Sequence, residues 1–156
     1  MKRLLLCLLI ALITLTTTSV TLAAPPPAYL ISAARYLNIQ KEHGNKVKGA
    51  MAGVQSHETS TKKFRGTVKI ARAETNGEWD KNYSKTINGV PASYAEIHQN
   101  IQQSHELREA AYKEWLDNSK YKDPAKVAKA YKNFNSSLEY EGKAFNYVID
   151  ALKTKM

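Results

Sequence analysis

The most regular stretch of the chain lies near its C-terminus. There Val127, Tyr131, Phe134, Leu138, Phe145, Val148 and Leu152 follow one another at intervals of four, three, four, seven, three and four residues, with Glu141 in the long gap. This near-heptad seam predicts a long helix with one apolar side, which asks for another helix to cover it. Asp123-Pro124 marks its start, because the carboxylate accepts an end-turn amide and a proline at the first helical position lacks only an N–H that the helix leaves unpaired. Upstream, Ile97, Ile101, Ala111 and Trp115, flanked by Tyr94, Leu107 and Tyr112, predict a helix over 94–118 without proline or glycine. Ser93 and Glu96 at its start have the spacing of a reciprocal capping box. Only residues 119–123 separate the two helices, so they are expected to pair as an antiparallel hairpin.

The N-terminal half is less regular. Residues 28–43 place Leu30, Ala33 or Ala34, Tyr36 and Leu37 on a common side, and Gly44-Asn45 reads as a natural stop. Between residues 46 and 74 the pattern blurs. Val47, Ala50, Met51 and Val54 permit one short helix and Phe64, Val68 and Ala71 another, but Gly49, Gly53 and Gly66 weaken both, and Val68 and Ile70 alternate as a short strand would. Asn76-Gly77 reads as a turn, and residues 78–91 as a connector carrying Trp79, Tyr83 and Ile87. That connector is longer than a bundle loop requires, so its aromatic residues either fasten it across the helices or line a ligand site. The expected fold is all-α: a small helical bundle with a C-terminal antiparallel hairpin and an irregular middle segment.

The first residues add a targeting element. Met1-Lys2-Arg3 is a short basic start, residues 4–13 are an unbroken apolar run, and a Thr-rich stretch leads to Leu22-Ala23-Ala24 and three prolines. This is the pattern of a cleavable secretory signal over residues 1–23, processed after Ala23, and its apolar run is too short for a comfortable membrane span. Residues 24–156 would remain as a single helical domain, exported to a periplasm or an extracellular medium. The single cysteine, Cys7, falls in the expected leader. The processed chain is then expected to lack disulfides, thiolate catalysis, cysteine-ligated metal and haem attachment, and must rely on packing. No second apolar run long enough to anchor it in a bilayer follows. Asn82 and Asn135 each begin a glycosylation triplet, a pattern common by chance.

Charge changes the picture through its placement. The chain carries +9 formally, and +7 once Lys2 and Arg3 are removed. Residues 40–75 hold eight basic and three acidic side chains, a balance of +5; residues 94–118 hold two and five, or −3; residues 120–156 hold eight and four, or +4. A basic face beside an acidic helix suits a charged partner, an anionic surface or self-association, although lysines on polar helix faces also serve solubility alone. Lys62, Lys63, Arg65, Lys69 and Arg72 with Phe64 for stacking would be the residues for nucleic acid, but there is no recognition-helix motif, zinc-finger spacing or paired strand aromatics, and an export signal argues against that partner. The patch also lacks the clean amphipathic pattern of a membrane-surface helix.

Chemistry is harder to find. His98, His105 and Glu109 fall along related sides of one predicted helix and form the one candidate metal set, but a helical carboxylate site is more specific when a Glu-x-x-His pair recurs on facing helices. Glu74, Glu78 and Asp80 around Trp79 are the tempting carboxylates, yet neighbours in a loop do not establish two groups facing each other across a substrate. No nucleophile elbow, phosphate loop or dinucleotide signature occurs, and no cofactor is implied. The sequence therefore favours an exported, basic helical protein that binds an envelope or extracellular partner noncovalently, that partner being a protein or an anionic envelope component. Its expected contact residues are Lys62, Lys63, Phe64, Arg65, Trp79 and Tyr83. The alternatives are a small secreted hydrolase or metal-dependent enzyme, and a structural oligomer in which the 127–152 seam is completed between chains.

Overall fold

The computed structural model describes residues 28–118 and 123–153. The expected leader, its processing site, Cys7 and the proline run lie outside the described residues. Among the described residues four α-helices follow one another: α1 Ala28–Gln55, α2 Thr61–Glu78, α3 Ala95–Asp117 and α4 Pro124–Lys153. A π turn, Trp79–Tyr83, and two 3₁₀ turns, Ser84–Gly89 and Ala92–Tyr94, join α2 to α3. No strand occurs among the described residues, and none of their helices is long and apolar enough to cross a membrane. The chain runs up and down: α1 with α2 and α3 with α4 form antiparallel hairpins, and the more extensive α3–α4 pair packs against the first through α1–α4 and α2–α3. The helical bundle with its C-terminal hairpin thus stands as expected.

Asp123 starts α4 as its sequence predicts, its Oδ1 accepting from the amides of Ala125 at 3.0 Å and Lys126 at 3.2 Å. The capping box at Ser93 and Glu96 is not formed. Pro91 instead leads into a 3₁₀ turn, α3 begins at Ala95 with no side-chain cap, and Glu96 accepts a 2.7 Å hydrogen bond from the Tyr147 hydroxyl.

The middle segment is more regular than its composition suggests. Helix α1 continues through Gly44-Asn45 to Gln55, and α2 contains both Asn76-Gly77 and the Val68-Lys69-Ile70 stretch. Val68 is wholly buried and Ile70 is 61% exposed, so their alternation records two sides of a helix and not of a strand. A short turn at residues 56–60 joins α1 to α2. His57 takes a left-handed conformation there, φ 62°, and Ser60 caps α2 by accepting from the Lys63 amide.

Helix α1 buries Leu30, Ala33, Leu37, Gln40, Gly44 and Val47, an unbroken alternation of three and four. Helix α4 does the same through Ala130, Phe134, Ser137, Glu141, Ala144 and Val148. This seam corrects the expected one. Val127, Tyr131, Leu138, Phe145 and Leu152 flank it, because the small Ala130, Ser137 and Ala144 allow the closest helix approach while bulky neighbours close the sides. The seam is covered by helices of the same chain, so it does not need a second copy.

Polar seam positions align across the bundle. One apolar cluster gathers around Leu30, Tyr36, Tyr83 and Ile101, a second around Val47, Phe64, Trp115 and Phe134. Between them lies a polar layer built from Gln40 and Gly44 on α1, Ser104 and Arg108 on α3, and Ser137 and Glu141 on α4. The Arg108 guanidinium, 1% exposed, donates to the Gln40 carbonyl at 2.6 Å and the Ser137 hydroxyl at 3.1 Å, and its Nη1 lies 2.7 Å from Glu141 Oε2. Ser104 donates to the Ser137 carbonyl at 2.8 Å. Burial pushes the Glu141 carboxyl above its ordinary value, against the pull of Arg108 and Lys41. Such a layer fixes helix register, since sliding one helix by a turn would strand a buried charge.

Gly44 makes room for this arginine: a Cβ there would sit 2.8 Å from Arg108 Nη1, whereas at Gly49 and Gly142 it would meet nothing within 4 Å. Gly44→Ala should therefore destabilise the fold by about 1–3 kcal/mol. Gly49→Ala should stabilise it by about 0.5–1 kcal/mol through helix propensity. Urea unfolding of the two variants checks the contrast.

Candidate functional site

The six expected contact residues divide into three groups. Lys62 and Lys63 lie exposed in the first turn of α2. Phe64 is 3% exposed and packs edge-on against Trp115, ring centroids 5.4 Å apart, so it is a core residue and not a stacking platform. Arg65 turns inward as well, donating to the carbonyls of Trp115 at 3.3 Å and Leu116 at 2.7 Å. These are end-turn carbonyls of α3, where a guanidinium supplies both hydrogen bonds and favourable charge. The helical period explains the split: positions 64, 68 and 71 face the core, and 62, 63, 66, 69, 70 and 73 face outward.

Lys69 completes the outer set. No ion pair among the described residues uses Lys62, Lys63 or Lys69. Arg72, by contrast, is committed to Glu109: its Nε lies 2.9 and 3.0 Å from the two carboxylate oxygens, and its Nη2 also bonds Oε1. Asn76 donates to the same carboxylate at 3.0 Å. Burial raises the Glu109 pKa, but these hydrogen bonds and the charges of Arg72 and His105 together outweigh it and hold the group below the usual carboxylate range. Two grooves edge α2. One, of about 500 Å³ against α1, is lined by His43, Lys46, Gly49, Thr59, Lys63 and Ile70 among others; the second, of about 490 Å³ against α3, by Arg65, Lys69, Arg72, Ala73, Asn76 and Leu116. His43 is thus a mid-helix groove residue and not the helix-end residue that a stop at Gly44 implies.

The connector resolves in favour of fastening. Ser84 N–H bonds the Trp79 carbonyl five residues back, and this wider turn brings Trp79 and Tyr83 together, centroids 5.1 Å apart. Tyr83 is wholly buried, 5.2 Å from Tyr36 in a stacked arrangement, and its hydroxyl lies 3.0 Å from that of Tyr29 and 2.9 Å from His98 Nδ1. Trp79 stacks on the His105 ring at 3.9 Å, with 3° between the planes. The Tyr36 hydroxyl lies 2.7 Å from His105 Nδ1. Burial raises the pKa of both Tyr36 and Tyr83, so both stay neutral hydroxyls. Glu78, 8% exposed, pairs with Arg35 at 2.8 Å and accepts from Asn82 at 2.8 Å, which also accounts for two residues singled out as a carboxylate and as a glycosylation acceptor.

The three metal candidates are consequently spread over separate tasks. His98 bonds Tyr83, His105 bonds Tyr36 beneath Trp79, and Glu109 holds Arg72 and Asn76. Among the described residues no group of three or more His, Cys, Asp or Glu side chains is placed to hold a metal. Sequence reasoning missed Arg108, Gln40 and Ser104, whose polar character hides their core positions. A signal was present: each falls on the seam of its helix. No protein family model matches the chain, and no curated protein or solved structure is significantly similar to it.

The buried histidines give the connector a pH dependence. Burial lowers the pKa of His98 and His105; for His105, Glu109, Asp80 and Glu106 oppose the shift and Arg108 adds to it. A depressed histidine pKa means that the folded state prefers the neutral ring. The stability it contributes is fully present above the unfolded value of about 6.5 and is lost as pH falls through the folded value. Melting temperature should therefore fall between about pH 7 and pH 5. His105→Gln should make that fall shallower, and an equal slope in the variant would remove His105 from the account.

Proposed function

We propose that this protein is an exported, basic helical binding protein that engages an anionic envelope or extracellular component noncovalently through the outer face of α2. The observation that carries the reading is the division of labour along that helix. Arg65 and Arg72 are tied to α3, while Lys62, Lys63 and Lys69 are exposed between two basic grooves and enter no ion pair among the described residues. Unpaired lysines on a rigid helix keep their hydration and their field, which steers an anionic partner and raises its local concentration. Export rests on the N-terminal pattern, which places the partner in the periplasm or outside the cell. Trp79 and Tyr83 act behind this surface by holding the connector, not as contacts.

The test is binding to a polyanion such as dextran sulfate across a salt series. The variant with Lys62, Lys63 and Lys69 all changed to Gln should bind roughly tenfold or more weakly at low salt, with a shallower salt dependence and unchanged helicity. Equal binding by the folded variant would reject the role of this face.

A further inference from the structure

Where α1 and α3 end and α2 and α4 begin, the bundle leaves an apolar pocket of about 210 Å³. All four helices line it: Met51 and Val54 from α1, Phe64 from α2, Trp115 from α3, Val127 and Tyr131 from α4. Phe64 and Tyr131 both stand edge-on to the Trp115 ring, at 76° and 83° with centroids 5.4 and 5.6 Å away, so three aromatic rings wall the space. A small apolar group entering an apolar hollow gains dispersion contacts with its lining without desolvating any charge.

The α2–α3 groove adjoins this pocket. The shared wall consists of two pairs of chain neighbours: Phe64 and Trp115 face the pocket, while Arg65 and Leu116 face the groove, tied by the Arg65 hydrogen bond to the Leu116 carbonyl. The groove holds three cations, Arg65, Lys69 and Arg72; the Glu109 carboxylate bonded to Arg72 and the nearby Asp117 carboxylate offset two of them, leaving a local balance of +1. Lys69 takes part in no ion pair among the described residues. An apolar socket sized for a short chain, beside an anion-attracting groove, is complementary to a molecule with both characters.

We infer that this end of the bundle binds a single-chain anionic amphiphile, with its acyl or alkyl tail among Met51, Val54, Phe64, Trp115, Val127 and Tyr131 and its carboxylate or phosphate head near Lys69. The inference deepens the reading of α2 as an anion-binding face, naming the partner class, and rests on that reading only through Lys69. A cationic head is repelled by the groove. A neutral head keeps the tail contacts and loses the charge-assisted bond. Inorganic phosphate has no tail to hold.

The test is a ¹⁵N–¹H NMR titration of the purified protein with octyl phosphate below its micelle concentration, beside octanol, octyltrimethylammonium and inorganic phosphate. Octyl phosphate should give saturable shifts at the Trp115 indole N–H and the amides of Val54, Phe64 and Val127. Octanol should bind roughly tenfold more weakly, and the other two should not saturate over the same range. Lys69→Glu should weaken octyl phosphate about tenfold and leave octanol unchanged. Val127→Phe, which fills the socket, should abolish both, with Val54→Leu as the milder filling variant if the first does not fold. The double change of Lys62 and Lys63 to Gln should lower polyanion binding but leave octyl phosphate unaffected, which separates failure of this site from failure of the α2 surface. Binding of octyltrimethylammonium as tight as that of octyl phosphate, indifference to Lys69→Glu, or the absence of saturable shifts at the pocket residues would each overturn the inference.

Discussion

Replacing Glu141 with leucine should cost the fold about 3–5 kcal/mol, because it leaves the Arg108 guanidinium buried without its counter-charge. Arg108 cannot escape by a small movement. It is 1% exposed, and Gln40, Ser137 and Gly44 hold it from two other helices. Removing the arginine as well should recover most of the loss: the Arg108→Met, Glu141→Leu double variant replaces the charged layer with apolar volume, a change that is often neutral or stabilising. The double variant should then report on specificity. The polar layer fixes the register of α1, α3 and α4, so its removal should broaden amide resonances or admit alternative packings at nearly unchanged stability. Urea unfolding gives the energies and NMR line shape the uniqueness; a cost below about 1 kcal/mol for the single variant would mean that the pair is not isolated from water.

The second large effect belongs to Tyr83. Truncation to alanine should cost about 3–5 kcal/mol, the range for a large buried aromatic side chain. The loss is compound: the ring packs against Tyr29, Tyr36 and Trp79, and its hydroxyl joins Tyr29 to His98. Tyr83→Phe separates the two contributions, and should lose only about 1–2 kcal/mol for the hydroxyl. Hydrogen exchange offers a finer reading. In the alanine variant, amides of residues 79–94 should open well before those of the α3–α4 hairpin, since Tyr83 is the connector's wholly buried anchor while Ile87, Val90 and Tyr94 pack only partly buried against the same cluster. Uniform loss of protection would instead make the connector part of one cooperative core.

Long stretches of this architecture were legible without coordinates. The start of α4 at Asp123-Pro124, the hairpin with α3 and the all-helical class follow from periodicity and capping chemistry, which act locally. Two of the errors, the early end of α1 and the displaced seam of α4, have a common source in the polar layer. Gln40 and Gly44 interrupt the apolar pattern of α1, so the helix reads as ending at Gly44; in fact both residues face Arg108, a partner 64 or more positions away in the chain. Ser137 and Glu141 hide the true seam of α4 in the same way, shifting the apparent one toward bulky flanking residues. Phe64 and Arg65 illustrate a different gap. They sit beside Lys62 and Lys63 in sequence, and only the rotation of α2 against Trp115 separates core and clamp from surface. The outer lysines were legible as a basic cluster; which of them were left unpaired was not, because that depends on where Glu109 and the α3 carbonyls lie.

The central claim, that the exposed lysines of α2 form the partner-binding face, is tested most directly by in-cell photo-crosslinking. A crosslinking residue placed at position 66, between the outer lysines, should yield a reproducible adduct in the periplasmic or extracellular compartment proposed for the protein. That adduct should weaken when Lys62, Lys63 and Lys69 become Gln, and a probe at position 139 on α4 should not capture it. Equal capture from both positions, or no adduct at position 66 from abundant folded protein, would contradict the account.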